Sequence, residues 1–257
     1  LNRGKFSTFP EDLIIHAVST RQDGNLALHV GDNRADVLAN RKKFVESLGF
    51  KISDIVTPNQ VHGDKIFRAD ENYRGCGCEN YADSISETDA LITDTPRLPL
   101  MLCFADCVPI FFVDVKNKAI GLAHGGWKGT LKKIAAKTLL KMQDEFGTRA
   151  ENCLIGIAPS IGSCCYEVGG NVIDACKKSF PNNFNELLIE RGGKIYLDLW
   201  RANVLQLLEV GVPEENIDVA GECTCCKSSL YFSYRAAQRN NLDRTGRIAA
   251  LIALNVK

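Results

Sequence analysis

The sequence lacks several features that would place a protein in a special class. Its 257 residues carry 31 Lys and Arg against 31 Asp and Glu, so there is no net charge to draw the chain onto nucleic acid or anionic lipid. No apolar run reaches the roughly 18 residues that a membrane-spanning helix needs. The most apolar stretch, 98–113, is interrupted by Asp106. We therefore expect neither a nucleic-acid partner nor a membrane.

The chain also lacks low-complexity tracts, long Pro/Ser linkers and internal repeats. With 45% hydrophobic and 24% charged residues it has the composition of a globular protein, so we expect residues 1–257 to form a single domain, as a monomer or homodimer. Residues 1–10 are polar, which predicts no secretion signal. The 11 cysteines are odd in number and partly lie in apolar segments, which favours reduced thiols in a cytoplasmic protein.

Short apolar runs alternate with segments of helical periodicity along the whole chain. Strands are predicted at 13–18, 100–104, 108–114, 119–124, 153–158, 217–220 and 248–254. Helices are predicted from a cap at Asp32 or Asn33 to Gly49, from a cap at Thr130 to Gly147, at 171–180 and at 198–211. Some strands are joined by a hairpin and others by helices. The predicted fold class is therefore α+β, with mixed β-sheets in layers flanked by helices.

The hairpin formed by 108–114 and 119–124 carries the first chemical signal. If its turn follows the apolar pattern, Cys107 and His124 are directly opposite each other at one end. A thiolate and an imidazole suit Zn(II) or copper, and a third protein ligand would leave one tetrahedral position for water. His62, in a polar segment, is the best third candidate, whereas His16 and His29 are predicted to lie in less polar, strand-like settings.

The same segments allow plainer interpretations. Cys107 and His124 are also compatible with ordinary core residues, because free cysteine is among the most buried residue types. Asp106 interrupts an apolar run, so its carboxylate must reach solvent or find a partner, such as a metal-ligating histidine. The His-Gly-Gly-Trp-Lys-Gly segment at 124–129 precedes a helix and suits either a phosphate cradle or a simple strand-to-helix turn.

Two further thiol-rich segments are weaker signals. Cys223 and Cys226 form a Cys-x-x-Cys, and Cys76 and Cys78 lie in a polar loop, so these four are one candidate for a second zinc site. Their spacing and order match no common zinc knuckle, which favours local packing instead. The vicinal cysteines at 164–165 are expected to lie in a loop near the active-site cleft.

Five ordered motifs make the sequence similar to the laccase-domain family, also called the multicopper polyphenol oxidase or YfiH-type family. They are Gln-Val-His-Gly at 60–63, Phe-Ala-Asp-Cys-Val-Pro at 104–109, Ala-His-Gly-Gly-Trp-Lys-Gly at 123–129, Ala-Pro-Ser-Ile-Gly-Ser-Cys-Cys-Tyr-Glu-Val at 158–168 and Tyr-Phe-Ser-Tyr-Arg at 231–235. The resemblance covers nearly the whole chain and implies a YfiH/CNF1-like α+β fold. It also implies that His62, Cys107 and His124 are the metal ligands and catalytic residues of a single site.

The resemblance implies a zinc-dependent purine nucleoside enzyme. The expected reactions are phosphorolysis of adenosine, guanosine, inosine and methylthioadenosine, and deamination of adenosine. Zinc is the implied cofactor, with copper as the second choice, and zinc would make water a better nucleophile near neutral pH. The expected contacts to nucleoside and phosphate are Gln60, Lys128, Tyr166 and Arg235.

Two departures from the family pattern bear on phosphate binding, and other functions stay open. Arg235 is followed by two alanines where the family usually continues Arg-Asp-Gly, and Lys128 replaces an arginine, whose planar fork suits phosphate better. The alternatives are a copper-dependent polyphenol oxidase, a metal-free cysteine hydrolase with Cys107 as nucleophile and His124 as base, or a nucleoside-binding scaffold. Four histidines in total argue against an oxidase with several copper centres.

Overall fold

The computed structural model of the chain describes residues 6–255. Its strands are β1 (Ile14–Val18), β2 (Ile66–Arg68), β3 (Ala90–Thr93), β4 (Leu100–Phe104), β5 (Val108–Asp114), β6 (Ala119–Gly125), β7 (Cys153–Ile157), β8 (Leu188–Arg191), β9 (Lys194–Leu197), β10 (Ile217–Val219) and β11 (Ile248–Leu254). Its α-helices are α1 (Arg34–Glu46), α2 (Trp127–Leu131), α3 (Ile134–Phe146), α4 (Gly170–Ser179), α5 (Phe184–Leu187), α6 (Leu199–Glu209) and α7 (Tyr234–Arg239). None of the helices within 6–255 combines the length and apolar character needed to cross a membrane.

The strands form three sheets with mixed strand directions. One sheet has the order β10-β7-β5-β6-β3-β2, the second has the order β1-β11-β4, and β8 pairs with β9 in a separate hairpin. The pairs β10–β7 and β2–β3 run parallel, whereas the other pairs run antiparallel. This arrangement of mixed sheets and helices confirms the predicted α+β fold class.

Alternating side chains on the buried strands produce the layers. In β5, Ile110 and Phe112 pack with α3 and α6, whereas Phe111 and Val113 pack against the three-stranded sheet. The opposite face of that sheet, which includes Met101, packs against α1. The order of layers is therefore helices, six-stranded sheet, three-stranded sheet and α1. Because both faces of β5 are covered, its sequence is a continuous apolar run.

Most predicted elements are present, with boundaries shifted by a few residues. Asn33 caps α1 as predicted, since its Oδ1 accepts the backbone N–H of Ala35 at 2.8 Å. Asp198 caps α6 in the same way, accepting the N–H of Arg201 at 2.9 Å. The sequence patterns did not reveal β2, β3, β8, β9, α5 or α7, because periodicity cannot be recognised over three to six residues.

The helix predicted to begin at Thr130 is wrong at its start. Thr130 lies inside the short α2, and the chain then turns at Lys133, whose φ of 67° is left-handed, before α3 begins. The Thr130 hydroxyl accepts a hydrogen bond from Nδ2 of Asn203 at 3.1 Å and so joins α2 to α6. The amphipathic pattern of α3 is as predicted, with Ile134 and Leu139 buried.

The β5–β6 hairpin is present, but its predicted register is wrong. His124 pairs with Pro109 and not with Cys107. The turn is displaced toward β6 because Asp114 Oδ1 accepts the backbone N–H groups of Lys116 and Asn117, each at 3.0 Å. The change in register is an even number of residues, so the two predicted ligands keep the same side of the sheet.

Candidate metal centre

Three side chains from distant parts of the chain meet at the end of the β5–β6 hairpin. His124 lies on β6, Cys107 directly precedes β5, and His62 lies in the loop before β2. Their ligand atoms all lie within 4.8 Å of one another, and the centroids of the two imidazole rings are 4.7 Å apart. The fold thus brings together the three residues that were expected to share one ion.

A buried carboxylate positions both imidazoles. Asp89, directly before β3, is fully buried, and its Oδ1 lies 2.8 Å from Nδ1 of His124. An ionised carboxylate only accepts hydrogen bonds, so Nδ1 carries the proton and Nε2 is left for an ion. Asp89 also accepts the backbone N–H groups of Val61, His62 and Gly63, at 3.2, 2.9 and 2.7 Å. One side chain therefore orients one histidine and holds the loop of the other.

Asp106, the carboxylate that the sequence suggested as a partner of a ligating histidine, has a different role. Its Oδ1 accepts the hydroxyl of Thr224 at 2.7 Å, and its Oδ2 accepts the backbone N–H of Arg235 at 2.7 Å. Its φ of 85° turns the chain directly before Cys107. Asp106 thus joins this turn to α7 and to the 223–226 segment, and Asp89 is the carboxylate next to a candidate ligand.

Glycines beside the three candidate ligands are required by close packing. A Cβ at Gly126 would lie 3.0 Å from Cδ2 of His62 and 3.2 Å from Sγ of Cys107. A Cβ at Gly129 would lie only 2.7 Å from the carbonyl oxygen of Gly63. The segment therefore brings α2 against the loop of His62, which supports the turn interpretation of these glycines.

The charges in this cluster stabilise one another. Burial opposes ionisation of Cys107, but the charge and hydrogen bond of His124, with those of His62, lower the pKa of the thiol to about 6. Burial opposes a charge on His124 too, yet Cys107 and Asp89 raise the pKa of this imidazole to about 9. The pKa of Asp89 lies below its usual value, because the hydrogen bonds from His124 and the backbone outweigh burial. Without a metal the protonated imidazole of His124 balances part of this negative charge, and an ion bound at Nε2 would displace that proton and take over its role.

The donor set fits zinc. One thiolate and two imidazoles are ligands that zinc and copper prefer. Bonds of about 2.0–2.3 Å around a tetrahedral ion place the ligand atoms roughly 3.3–3.6 Å apart, so donor atoms within 4.8 Å of one another need only a small inward movement. Three protein ligands leave the fourth position of the ion for water or substrate, as in catalytic zinc sites.

The three candidate ligands line a cavity of about 410 Å³, which is within the usual range for small-molecule sites. Its wall combines aromatic rings with polar and positively charged groups. These include His29, Gln60, Trp127, Tyr166, Tyr234, Arg235 and Arg247. The cavity therefore offers both flat apolar surfaces and cationic groups to a ligand.

Three of the four expected substrate contacts line this cavity. They are Gln60, Tyr166 and Arg235. Lys128 does not line it, because it is exposed on α2 with its Nζ 5.7 Å from the ring centroid of Trp127. A contact between Lys128 and phosphate stays a prediction.

The polar groups of Gln60 and Arg235 are partly committed to the backbone. The Gln60 amide donates to the carbonyl oxygen of Cys103 and accepts its N–H, both at 2.9 Å, so it holds the loop before His62. Nη1 and Nη2 of Arg235 donate to the carbonyl oxygens of Cys165 and Glu167, both at 3.0 Å. A guanidinium has five N–H groups, so Arg235 still has donors for a ligand.

Two cavity residues, His29 and Arg247, were missed by sequence reasoning. His29 lies in a turn, so its predicted strand-like setting is wrong. Burial, with the positive charges of Arg247 and Arg41, lowers the pKa of His29 to about 4, so this imidazole is neutral at pH 7. His16, in contrast, is a core residue whose Nε2 accepts the N–H of Phe6 at 2.9 Å. Both His29 and Arg247 lie outside the five motifs.

A second thiol cluster is also present, and it differs from the predicted one. Its Sγ atoms, all within 4.8 Å of one another, belong to Cys164, Cys165, Cys223 and Cys226. Cys76 packs instead among apolar residues between the sheets, and Cys78 packs beside α1. The predicted assembly of Cys76 and Cys78 with Cys223 and Cys226 is therefore wrong.

Comparison with known proteins identifies the family. The family model described as multi-copper polyphenol oxidoreductase laccase matches residues 16–255. Since this match spans nearly the whole chain, the chain belongs to that family. The resemblance inferred from the five motifs is thereby confirmed.

Particular relatives carry names that refer to nucleosides. The chain is 39% identical over 229 residues to purine nucleoside phosphorylase YlmD of Geobacillus stearothermophilus, covering 89% of this chain and 82% of the relative. It is 32% identical over 213 residues to adenosine deaminase RL5 of an unknown prokaryotic organism, covering 82% and 80%.

Solved structures confirm the fold. The crystal structure of YlmD from Geobacillus stearothermophilus matches with a TM-score of 0.91 and 36% identity, over 98% of this chain and 94% of that one. The structure of the hypothetical protein YfiH from Bacillus licheniformis matches with a TM-score of 0.88 and 34% identity, over 94% and 92%. The α+β fold is therefore that of the YlmD and YfiH structures.

Proposed function

We propose that the chain is a zinc-dependent purine nucleoside phosphorylase that also deaminates adenosine. The observation that carries this proposal is the convergence of His62, Cys107 and His124 in the wall of a cavity with aromatic and cationic surfaces. Relatives named purine nucleoside phosphorylase and adenosine deaminase support a nucleoside as the ligand. We assign adenosine, guanosine, inosine and methylthioadenosine as its substrates.

The cavity wall offers separate groups for the base and for phosphate. The rings of Trp127, Tyr166 and Tyr234 supply faces on which a purine can stack. Phosphorolysis requires an anion beside C1 of the ribose, and Arg235 and Arg247 bring guanidinium groups into the same wall. These two arginines are our proposed phosphate contacts.

The residues around the candidate ligands prepare the site for a bound ion. When bound, zinc supplies Lewis-acid chemistry, polarising a reacting group and making water a better nucleophile near neutral pH. Asp89 holds the proton on Nδ1 of His124 and so orients Nε2, and Cys107 is a thiolate at pH 7 because its pKa is about 6. Burial, with the charge of Cys107, raises the pKa of Tyr166 far above neutrality, so its hydroxyl stays protonated and can donate a hydrogen bond to substrate.

A metal-free cysteine hydrolase is the second candidate, because Cys107, His124 and Asp89 form a nucleophile, base and carboxylate in series. In the hydrolase mechanism His62 has no role. The zinc proposal uses His62 as the third ligand and accounts for the hydrogen bonds that fix its loop to Asp89. A multicopper oxidase is disfavoured, because it needs several copper centres with many histidine ligands. Within residues 6–255 the only clusters of potential metal ligands are the candidate metal centre and the four-cysteine cluster.

The test is to incubate the zinc-loaded protein with adenosine, with and without phosphate, and to follow the products by chromatography. We expect adenine and ribose 1-phosphate when phosphate is present, and inosine when it is absent. Stripping zinc with a chelator should abolish both reactions, and adding zinc back should restore them.

Other outcomes would identify the alternatives. Turnover that survives stripping but is lost on alkylation of Cys107 would contradict the zinc proposal and support the hydrolase. Oxidation of phenols, seen only after loading with copper and without nucleoside turnover, would support the oxidase.

A further inference from the structure

Four thiols from two loops meet behind the wall of the cavity. Cys164 and Cys165 lie in the loop after β7, and Cys223 and Cys226 lie in the segment after β10. All four sulfurs are within 4.8 Å of one another. The Sγ of Cys226 is 3.5 Å from that of Cys164 and 3.4 Å from that of Cys165.

The backbone holds these two segments together independently of the thiols. The N–H of Thr224 donates to the carbonyl oxygen of Ser160 at 3.0 Å, and the N–H of Ser160 donates to the carbonyl oxygen of Glu222 at 3.1 Å. The bridge between residues 160 and 223 continues the parallel pairing of β7 and β10. The fold itself therefore brings the vicinal cysteines to the Cys-x-x-Cys.

Hydrogen-bond donors next to the cluster are directed at its sulfurs. The backbone N–H of Gly162 donates to Sγ of Cys223 at 3.3 Å, and Nη1 of Arg239 donates to Sγ of Cys165 at 3.6 Å. In metal sites, donors of this kind next to the ligands hydrogen-bond to them and orient them. Cys225 is a neighbour whose Sγ also accepts from Arg239 at 3.6 Å, but it is not one of the four.

We propose that Cys164, Cys165, Cys223 and Cys226 bind a zinc ion in a closed four-thiolate site, separate from the candidate metal centre. With Zn–S bonds of about 2.3 Å, a tetrahedral ion places its sulfurs roughly 3.8 Å apart, close to the spacing observed here. The Cys-x-x-Cys spacing is also common in structural zinc sites. Binding releases the thiol protons to solvent and requires no oxidant.

The site has a structural role. Four protein ligands leave the ion no open position for water or substrate. The carbonyl oxygens of Cys165 and Glu167 accept the guanidinium of Arg235, and Thr224, between two ligands, donates to Asp106 beside the candidate metal centre. The ion would therefore stabilise one wall of the cavity without taking part in the reaction.

The test measures zinc per chain in the full-length protein, purified with a thiol reductant and freed of loosely bound ions. Cys226→Ser should bind one zinc ion fewer than the wild type, and the matched control Cys225→Ser should bind as many. His124→Ala should also lose one ion, but from the other site. If only the proposed nucleoside site fails, Cys226→Ser still loses one ion and His124→Ala loses none. Zinc content unchanged by Cys226→Ser would overturn the four-thiolate site.

A second measurement needs no variant and therefore does not depend on how a mutant folds. Cys164 and Cys226 are exposed, so iodoacetamide should reach and modify them in chelator-treated wild type at mildly alkaline pH. Added zinc should slow this modification at least tenfold, as followed by peptide mass mapping, while Cys76 serves as an internal reference. Equal rates with and without zinc would overturn the proposal. So would a disulfide joining Cys226 to Cys164 or Cys165 in protein that takes up no zinc at this cluster.

Discussion

The two thiol-containing clusters differ in their ligands and in their surroundings. The candidate metal centre combines one thiol with two imidazoles and lines a cavity of about 410 Å³. The other cluster has four thiols, two of them exposed, and none of the four lines that cavity. Three protein ligands leave a zinc ion open to substrate, whereas four close it. Metal content alone would therefore not distinguish the proposed reactive site from the proposed structural site, whereas the number of ligands and the adjoining cavity would.

The largest expected effect separates the two clusters by activity. His124→Ala removes a proposed ligand of the open ion and should lower kcat/KM for adenosine by about 10³-fold, equivalent to roughly 4 kcal/mol. Cys226→Ser should lower it by less than about tenfold, because its ion is proposed to act only on stability. Product chromatography measures both variants. Comparable losses of kcat/KM in the two variants would show that the clusters do not divide into a reactive site and a structural site.

The second prediction concerns the carboxylate that only the candidate metal centre has. Asp89→Asn removes the charge that orients His124 and weakens the acceptor that holds the loop of His62. Zinc affinity at this site should fall by about 10–100-fold, as measured by competition with a chromophoric chelator. Asp144→Asn, at an exposed position of α3, serves as the control and should keep the wild-type affinity. An unchanged zinc affinity in Asp89→Asn would show that Asp89 does not orient the candidate ligands for zinc binding.

The third prediction concerns packing beside the candidate metal centre. Gly129→Ala would place a Cβ 2.7 Å from the backbone of Gly63, so it should destabilise the fold by about 1–3 kcal/mol in urea unfolding. The matched change Gly170→Ala, at the start of α4, meets no atom within 4 Å and should be neutral or stabilise by roughly 0.5 kcal/mol. Equal stabilities of the two variants would show that the His62 loop is not closely packed against α2.

The smallest effect is a difference in pH dependence in the metal-free protein. The thiolate is the reactive form of cysteine, and the pKa of Cys107 is about 6. Its alkylation rate should therefore rise about tenfold between pH 5 and pH 7 and then level off. The hydrogen bond that Cys226 donates to Cys165 raises the pKa of Cys226, so its alkylation rate should continue to rise above pH 8. A common pH profile for the two thiols, measured by mass mapping, would contradict the assigned electrostatics.

The sequence could predict the large elements and the candidate ligands for physical reasons. The continuous apolar runs of β5 and β6 are long enough to be recognised, and α3 has a clear amphipathic period. His62, Cys107 and His124 are residue types whose chemistry limits their roles, and ordered motifs singled them out. The hairpin register was wrong because the side chain of Asp114 sets the turn, which apolar patterning does not encode.

The role of Asp89 could not be predicted, because it depends on a strand that the sequence pattern does not reveal. β3 is only four residues long, and its pairing with β6 places Ala90 opposite Ala123 and so brings Asp89 to His124. The four-thiol cluster was missed for a similar reason. Cys164 and Cys223 are far apart in sequence and meet only because β7 and β10 run in parallel.

The central claim is that His62, Cys107 and His124 hold one zinc ion at the cavity. The most direct measurement is a zinc-edge anomalous difference map from crystals of zinc-loaded protein, compared with Cys107→Ser. We expect a peak within bonding distance of Sγ of Cys107, Nε2 of His124 and one ring nitrogen of His62, and we expect the variant to lose it. Zinc-loaded, active crystals with no peak among these three side chains would contradict the account.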